Sequence, residues 1–93
     1  MFKIGISYES YLMNKIKLQQ YQYNYLQQQC KFFQEKYPDK ISDKYISVFF
    51  SDEETENIRE WAEDELQING FDENYNPNNQ GIILEEIIDL FYL

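Results

Sequence analysis

The chain has 93 residues, one domain's worth, with a formal charge of −9, 43% apolar residues and 18% aromatic residues. That apolar content excludes a disordered chain, and a domain this small leaves little volume for a large enclosed substrate cavity. With no histidine, one cysteine (Cys30) and three glycines, composition excludes a histidine-based triad, a histidine-containing zinc finger and a disulfide scaffold, and argues against a glycine-rich phosphate cradle.

The first six residues are too short an apolar run for a signal peptide or a membrane span, and a single cysteine suits a reducing compartment. The expectation is a soluble cytoplasmic protein forming a single domain over 1–93. Charge divides unevenly along it. Residues 1–44 hold seven lysines against four acids, whereas residues 45–93 hold Arg59 against thirteen acids.

A long first helix is predicted from Ser10 to Lys36. Leu12, Ile16, Tyr23, Leu26, Cys30, Phe33 and Tyr37 follow one helical face, and Tyr8, Tyr11, Leu18, Tyr25 and Phe32 form a second stripe beside it. Pro38-Asp39 ends that helix. Ile41, Tyr45, Val48 and Phe49 then suggest a short helix capped by Asp39 or Ser42. The alternative is a strand over 45–50, pairing with Phe2, Ile4 and Ile6.

Ser51 and Glu54 have capping-box spacing, so a helix is expected to begin there, with Ile58, Trp61, Ala62 and Leu66 inward and Asn69-Gly70 as its stop. Opposite the apolar stripe stand Glu53, Glu56, Glu60, Glu63 and Asp64. The Asn-rich segment 71–81 reads as a loop that Phe71 and Tyr75 pin to the core. A last helix is expected from Asn79 to Leu93, burying Ile83, Leu84, Ile87, Ile88 and Phe91. The expected fold is therefore all-α, a compact three- or four-helix bundle with a long first helix. An α+β fold with a small strand pair from 2–6 and 45–50 is the minor alternative.

The constellations that could carry chemistry favour binding. Counted as a calcium loop from Asp72, the chain puts Pro77 where the sharp turn needs glycine and Ile83 where a bidentate glutamate is needed. The adjacent carboxylates lie on faces expected to be solvated, without the burial that tunes an acid or base. Cys30 lies on an apolar stripe with no histidine to activate it and reads as core. No enzyme activity, cofactor or metal is expected. The tyrosines admit two readings, core widening or exposed contact area of the kind enriched at interfaces. The acidic second half repels nucleic acid and suits a basic protein partner. The residues expected to make that contact are Glu53, Glu56, Glu60, Glu63, Asp64, Asp72 and Glu73, with Tyr21 and Tyr75 as aromatic anchors.

The stretch from Phe71 to Gly81, followed by Ile82-Ile83-Leu84-Glu85-Glu86-Ile87-Ile88-Asp89-Leu90-Phe91, resembles the loop and final helix of small acidic bacterial immunity proteins of the colicin or contact-dependent inhibition kind. The resemblance implies a helical bundle whose acidic face covers the basic cleft of a nuclease toxin, and an expected function as a non-catalytic toxin inhibitor. A phage-type inhibitor of a host defence nuclease would present similarly. A self-associating structural or assembly protein, homodimeric for instance, and a small metal-dependent enzyme are further alternatives.

Overall fold

The computed structural model of the protein describes residues 13–93. In chain order it contains β1 (Asn14–Gln19), α1 (Gln20–Gln29), α2 (Lys31–Lys36), β2 (Tyr45–Phe50), α3 (Asp52–Asn69) and α4 (Asn79–Phe91). The expectation of an all-α bundle is thus wrong: the described residues form an α+β fold of four helices with a two-stranded antiparallel sheet.

The correction has a local cause. Asn14–Gln19 exposes Lys15, Lys17 and Gln19 and buries Ile16 and Leu18, the period-2 alternation of a half-buried strand. Ile16 also fits a helical stripe, but Leu18 two residues later belongs on its face only in an extended chain. Residues 45–50 are likewise a strand, not the short helix expected there. Their partner is Asn14–Gln19, with Ile16 opposite Val48 and Leu18 opposite Ile46. The suggested pairing segment 2–6 lies outside the described residues, as does the start of the predicted first helix.

Helix α1 starts directly from β1. Gln22, buried, accepts the Gln19 amide at 2.9 Å, the reach-back contact of a capping box. The predicted continuous helix breaks at Cys30, whose backbone is extended at φ −106°, ψ 113°. Its carbonyl accepts from the amides of Phe33 and Gln34 and so starts α2. The Cys30 side chain is buried in the core. No glycine or proline marks this break.

Helix α3 begins as the sequence predicts. Ser51 Oγ accepts the Glu54 amide at 3.2 Å, and the Glu54 carboxylate accepts the Ser51 amide at 2.8 Å. Ile58 and Ala62 are buried, and Trp61 and Leu66 pack at the margin. Helix α4 folds back against α3 after the loop, capped by Asn78, whose side chain accepts the Gly81 amide at 2.8 Å. Of the residues expected to be buried there, Leu84, Ile87 and Phe91 are buried and Ile83 and Ile88 are half-buried.

One core joins all six elements. Ile16, Leu18, Val48 and Phe50 from the inner sheet face meet Tyr23, Leu26 and Phe33 from α1 and α2, and Ile58, Leu84, Ile87 and Phe91 from α3 and α4. An aromatic chain runs through it. Tyr23 meets Phe33 edge-on at 5.1 Å, Phe33 lies 5.6 Å from Phe50, and Phe50 lies 6.1 Å from Phe91. Such pairs add directional contacts to the area they bury. The sheet is therefore covered on one side by helices, and its other side carries Lys15, Lys17, Tyr45 and Phe49.

Candidate functional site

The carboxylates of the second half sort into those engaged within the fold, the row along α3, and the exposed Glu73, Glu85 and Asp89, which make no side-chain bond among the described residues. Those at the edges of the packed faces have partners. Asp52 accepts from the Asn14 side chain at 2.8 Å, and Glu65 accepts from Asn69 at 2.8 Å. Glu86 accepts from the Tyr21 hydroxyl and from Gln22. Glu54 serves the Ser51 cap and lies 3.4 Å from Lys36, the one ion pair among the described residues. Burial pushes the Glu54 carboxyl up, but the Ser51 amide and the Lys36 charge outweigh it and hold the group below the usual carboxylate range.

The second group is the predicted ridge. Glu53, Glu56, Glu60, Glu63 and Asp64 are all exposed. They project from α3 opposite Thr55, Ile58 and Ala62, its buried residues. Among the described residues none of the five makes an ion pair or a side-chain hydrogen bond to the protein. The only cation of that half, Arg59, is turned aside and stacks 4.9 Å from the ring centre of Tyr92. The row extends about 16 Å at 1.5 Å per residue. Neighbouring acids three or four positions apart repel by about 0.2–0.5 kcal/mol a pair, a cost the fold carries unrelieved.

The other expected contact residues are placed differently. The Asp72 carboxylate accepts the amides of Asn74 and Asn76 at 2.8 and 3.0 Å and shapes its own loop. Glu73 is exposed beside it. Phe71 and Tyr75 do not pin the loop to the core as expected: Phe71 is 39% exposed and Tyr75 86% exposed. The loop closes on itself instead, through an isolated bridge between Phe71 and Pro77 and a Tyr75 amide bond to the Asp72 carbonyl. Tyr75 sits at φ 63°, the left-handed region that a bulky residue rarely occupies. Tyr21 is exposed, but its hydroxyl ties α1 to α4 rather than reaching α3. The bond to Glu86 raises the Tyr21 pKa, with burial adding to it.

The two readings of the tyrosines divide by position. Tyr23 is buried and donates to the Asp39 carbonyl at 2.7 Å, and Tyr25 packs by Trp61 and receives a bond from Gln80. Tyr45, Tyr75 and Tyr92 are exposed. Tyr8 and Tyr11 lie outside the described residues.

Two surfaces escaped the sequence reading. One is the outer sheet face, where Lys17 Nζ lies 4.5 Å from the centre of the Tyr45 ring. The other is an open cleft of about 450 Å³ where that face meets α4, lined by Lys17, Gln22, Tyr45, Glu86 and Asp89 among others. The period-2 alternation of 14–19 and 45–50 was the signal for both. No helix among the described residues is long and apolar enough to cross a membrane, and no group of three or more His, Cys, Asp or Glu residues there could hold a metal ion. The chain matches no family model, no curated protein and no solved structure.

Proposed function

We propose that the protein is a non-catalytic inhibitor of the immunity type, which binds a basic protein through the outward face of α3. The partner class that suits it is a nuclease toxin, whose cationic cleft holds phosphates. Glu53, Glu56, Glu60, Glu63 and Asp64 occupy that cleft in place of the nucleic-acid backbone, and the exposed aromatics supply apolar contact at the rim. The observation that carries this reading is the division of the carboxylates. Asp52, Glu54, Glu65, Asp72 and Glu86 are engaged within the fold, while α3 gathers five unpartnered carboxylates on one helix face despite the repulsion along it. Complementary charge accelerates encounter and excludes wrong partners, and a desolvated carboxylate–guanidinium contact adds affinity.

The test is a photo-crosslinking residue placed at Glu60 in the native host, with Gln27 as control position. A basic protein captured from position 60 alone is then measured against Glu56→Lys/Glu60→Lys/Glu63→Lys. The expected result is an affinity at least about a hundredfold weaker and a flatter salt dependence. Unchanged affinity and salt dependence in the triple variant overturns the reading.

A further inference from the structure

The outer face of the two-stranded sheet is chemically the reverse of α3. Register places Lys15 opposite Phe49, Lys17 opposite Ser47 and Gln19 opposite Tyr45, so these side chains share one face. Tyr45 is 45% exposed and Phe49 43% exposed. Lys17 and Lys44 lie 4.5 and 5.6 Å from the Tyr45 ring centre, and among the described residues no carboxylate comes within ion-pair distance of Lys15, Lys17 or Lys44. Among the described residues the helices cover the opposite face, where Ile16, Leu18, Val48 and Phe50 are buried.

We propose that this face docks the acidic face of α3 from a second copy of the same chain. Three features argue for that occupant. Among the described residues the outer sheet face presents Lys15, Lys17 and Lys44 without a carboxylate partner and α3 presents five carboxylates without a cation partner, so one copy holds the electrostatic complement of the next. The dimensions agree, since the α3 row extends about 16 Å and a six-residue strand about 20 Å. A helix laid on an open sheet face is also an ordinary way to complete a sheet covered on one side, with Tyr45 and Phe49 packing against the glutamate methylenes. Single-stranded nucleic acid is the competing occupant of a face of lysines and aromatic rings, and the test below separates the two. The contact joins two different surfaces, so it is head-to-tail and propagates beyond a dimer unless it closes. It covers the α3 face when the chain is abundant, and a basic partner must displace it. The proposal rests on α3 as a cation-binding surface, as the functional reading does, and the sheet variants below test it separately.

Sedimentation velocity of the wild-type chain at low salt, over about 10–500 µM, is the measurement, because a footprint this small implies weak association. The sedimentation coefficient is expected to rise with concentration and to fall back to the monomer value at about 0.5 M salt. Lys15→Glu/Lys17→Glu and Glu56→Lys/Glu60→Lys are each expected to stay monomeric alone. Mixed, the first variant's intact α3 meets the second variant's intact sheet, and association returns as a 1:1 dimer or, where the two reversed surfaces also pair, as an alternating oligomer. Lys15→Glu/Lys44→Glu replaces the first variant if losing Lys17 from the Tyr45 ring unfolds the chain. A wild-type monomer throughout, association that survives sheet-face reversal, or no association of the folded mixed variants overturns the proposal. So does saturable binding of an oligouridylate probe to Lys15, Lys17 and Tyr45 on a chain that stays monomeric. The α3 reading fails separately, if a crosslinked partner ignores the charge reversals on that helix.

Discussion

Tyr75 and Gly81 carry opposite backbone demands. Tyr75 holds a bulky side chain at φ 63°, and almost all of that side chain is in water, so no packing offsets the strain. Tyr75→Asn, which tolerates this conformation, is expected to raise stability by about 1 kcal/mol in urea denaturation. If Tyr75 is also a contact anchor, the same substitution weakens partner binding while strengthening the fold. Gly81 is small for another reason. A β-carbon built on it runs into the Gly70 carbonyl, the acceptor of the Asn78 amide at 2.9 Å where α3 meets the start of α4. Gly81→Ala is expected to cost about 1–3 kcal/mol by the same assay. Neither role was legible from sequence. Tyr75 looked like an aromatic clamp on its loop, and spacing alone does not reveal that Asp72 and Pro77 close the loop without it.

At the scale of elements, α3 was the readable part and the N-terminal half was not. Ser51, Glu54, Ile58, Ala62 and Gly70 agree on one helix, because cap, periodicity and stop all specify the same ends. Residues 14–36 gave conflicting signals. The glutamines favour helix throughout, and Ile16, Tyr23, Leu26 and Phe33 fit its period, so the alternation of Lys15 to Gln19 was overridden. What decides for strand is tertiary: Ile16 and Leu18 gain a partner in Val48 and Ile46, residues far off in the chain. The α3 ends also make a direct prediction. Ser51→Ala is expected to cost about 0.5–2 kcal/mol. Because the folded state holds Glu54 below its unfolded pKa, the carboxylate stabilises the fold at neutral pH, and that contribution fades as pH falls through the acid range. The stability difference between wild type and Glu54→Gln, measured by thermal melts, is therefore expected to shrink steadily on acidification. Along the helix, Glu60 stands four residues from Glu56 and Asp64 and three from Glu63. Glu60→Gln relieves that repulsion and is expected to raise stability by about 0.5–1.5 kcal/mol. A measured loss of stability would mean that Glu60 has a favourable partner.

At the scale of the whole molecule two surfaces carry opposite charge, lysines and aromatics on the outer sheet and carboxylates along α3, with one ion pair among the described residues. Composition made the acidic half visible, and the helical spacing placed its ridge. It could not distinguish Asp52, Glu54, Glu65, Asp72 and Glu86, which serve the fold, from the five along α3, which make no side-chain bond within it. That distinction depends on which side chains come within hydrogen-bonding distance, which only the packed structure supplies. The account turns on those five. Amide chemical-shift mapping of the chain during titration with a decalysine peptide at low salt tests them most directly. The account predicts saturable shifts centred on residues 53–64 that vanish at about 0.5 M salt and in Glu56→Lys/Glu60→Lys. Shifts that leave α3 untouched and gather on the 71–77 loop or the outer edge of α4 would contradict it.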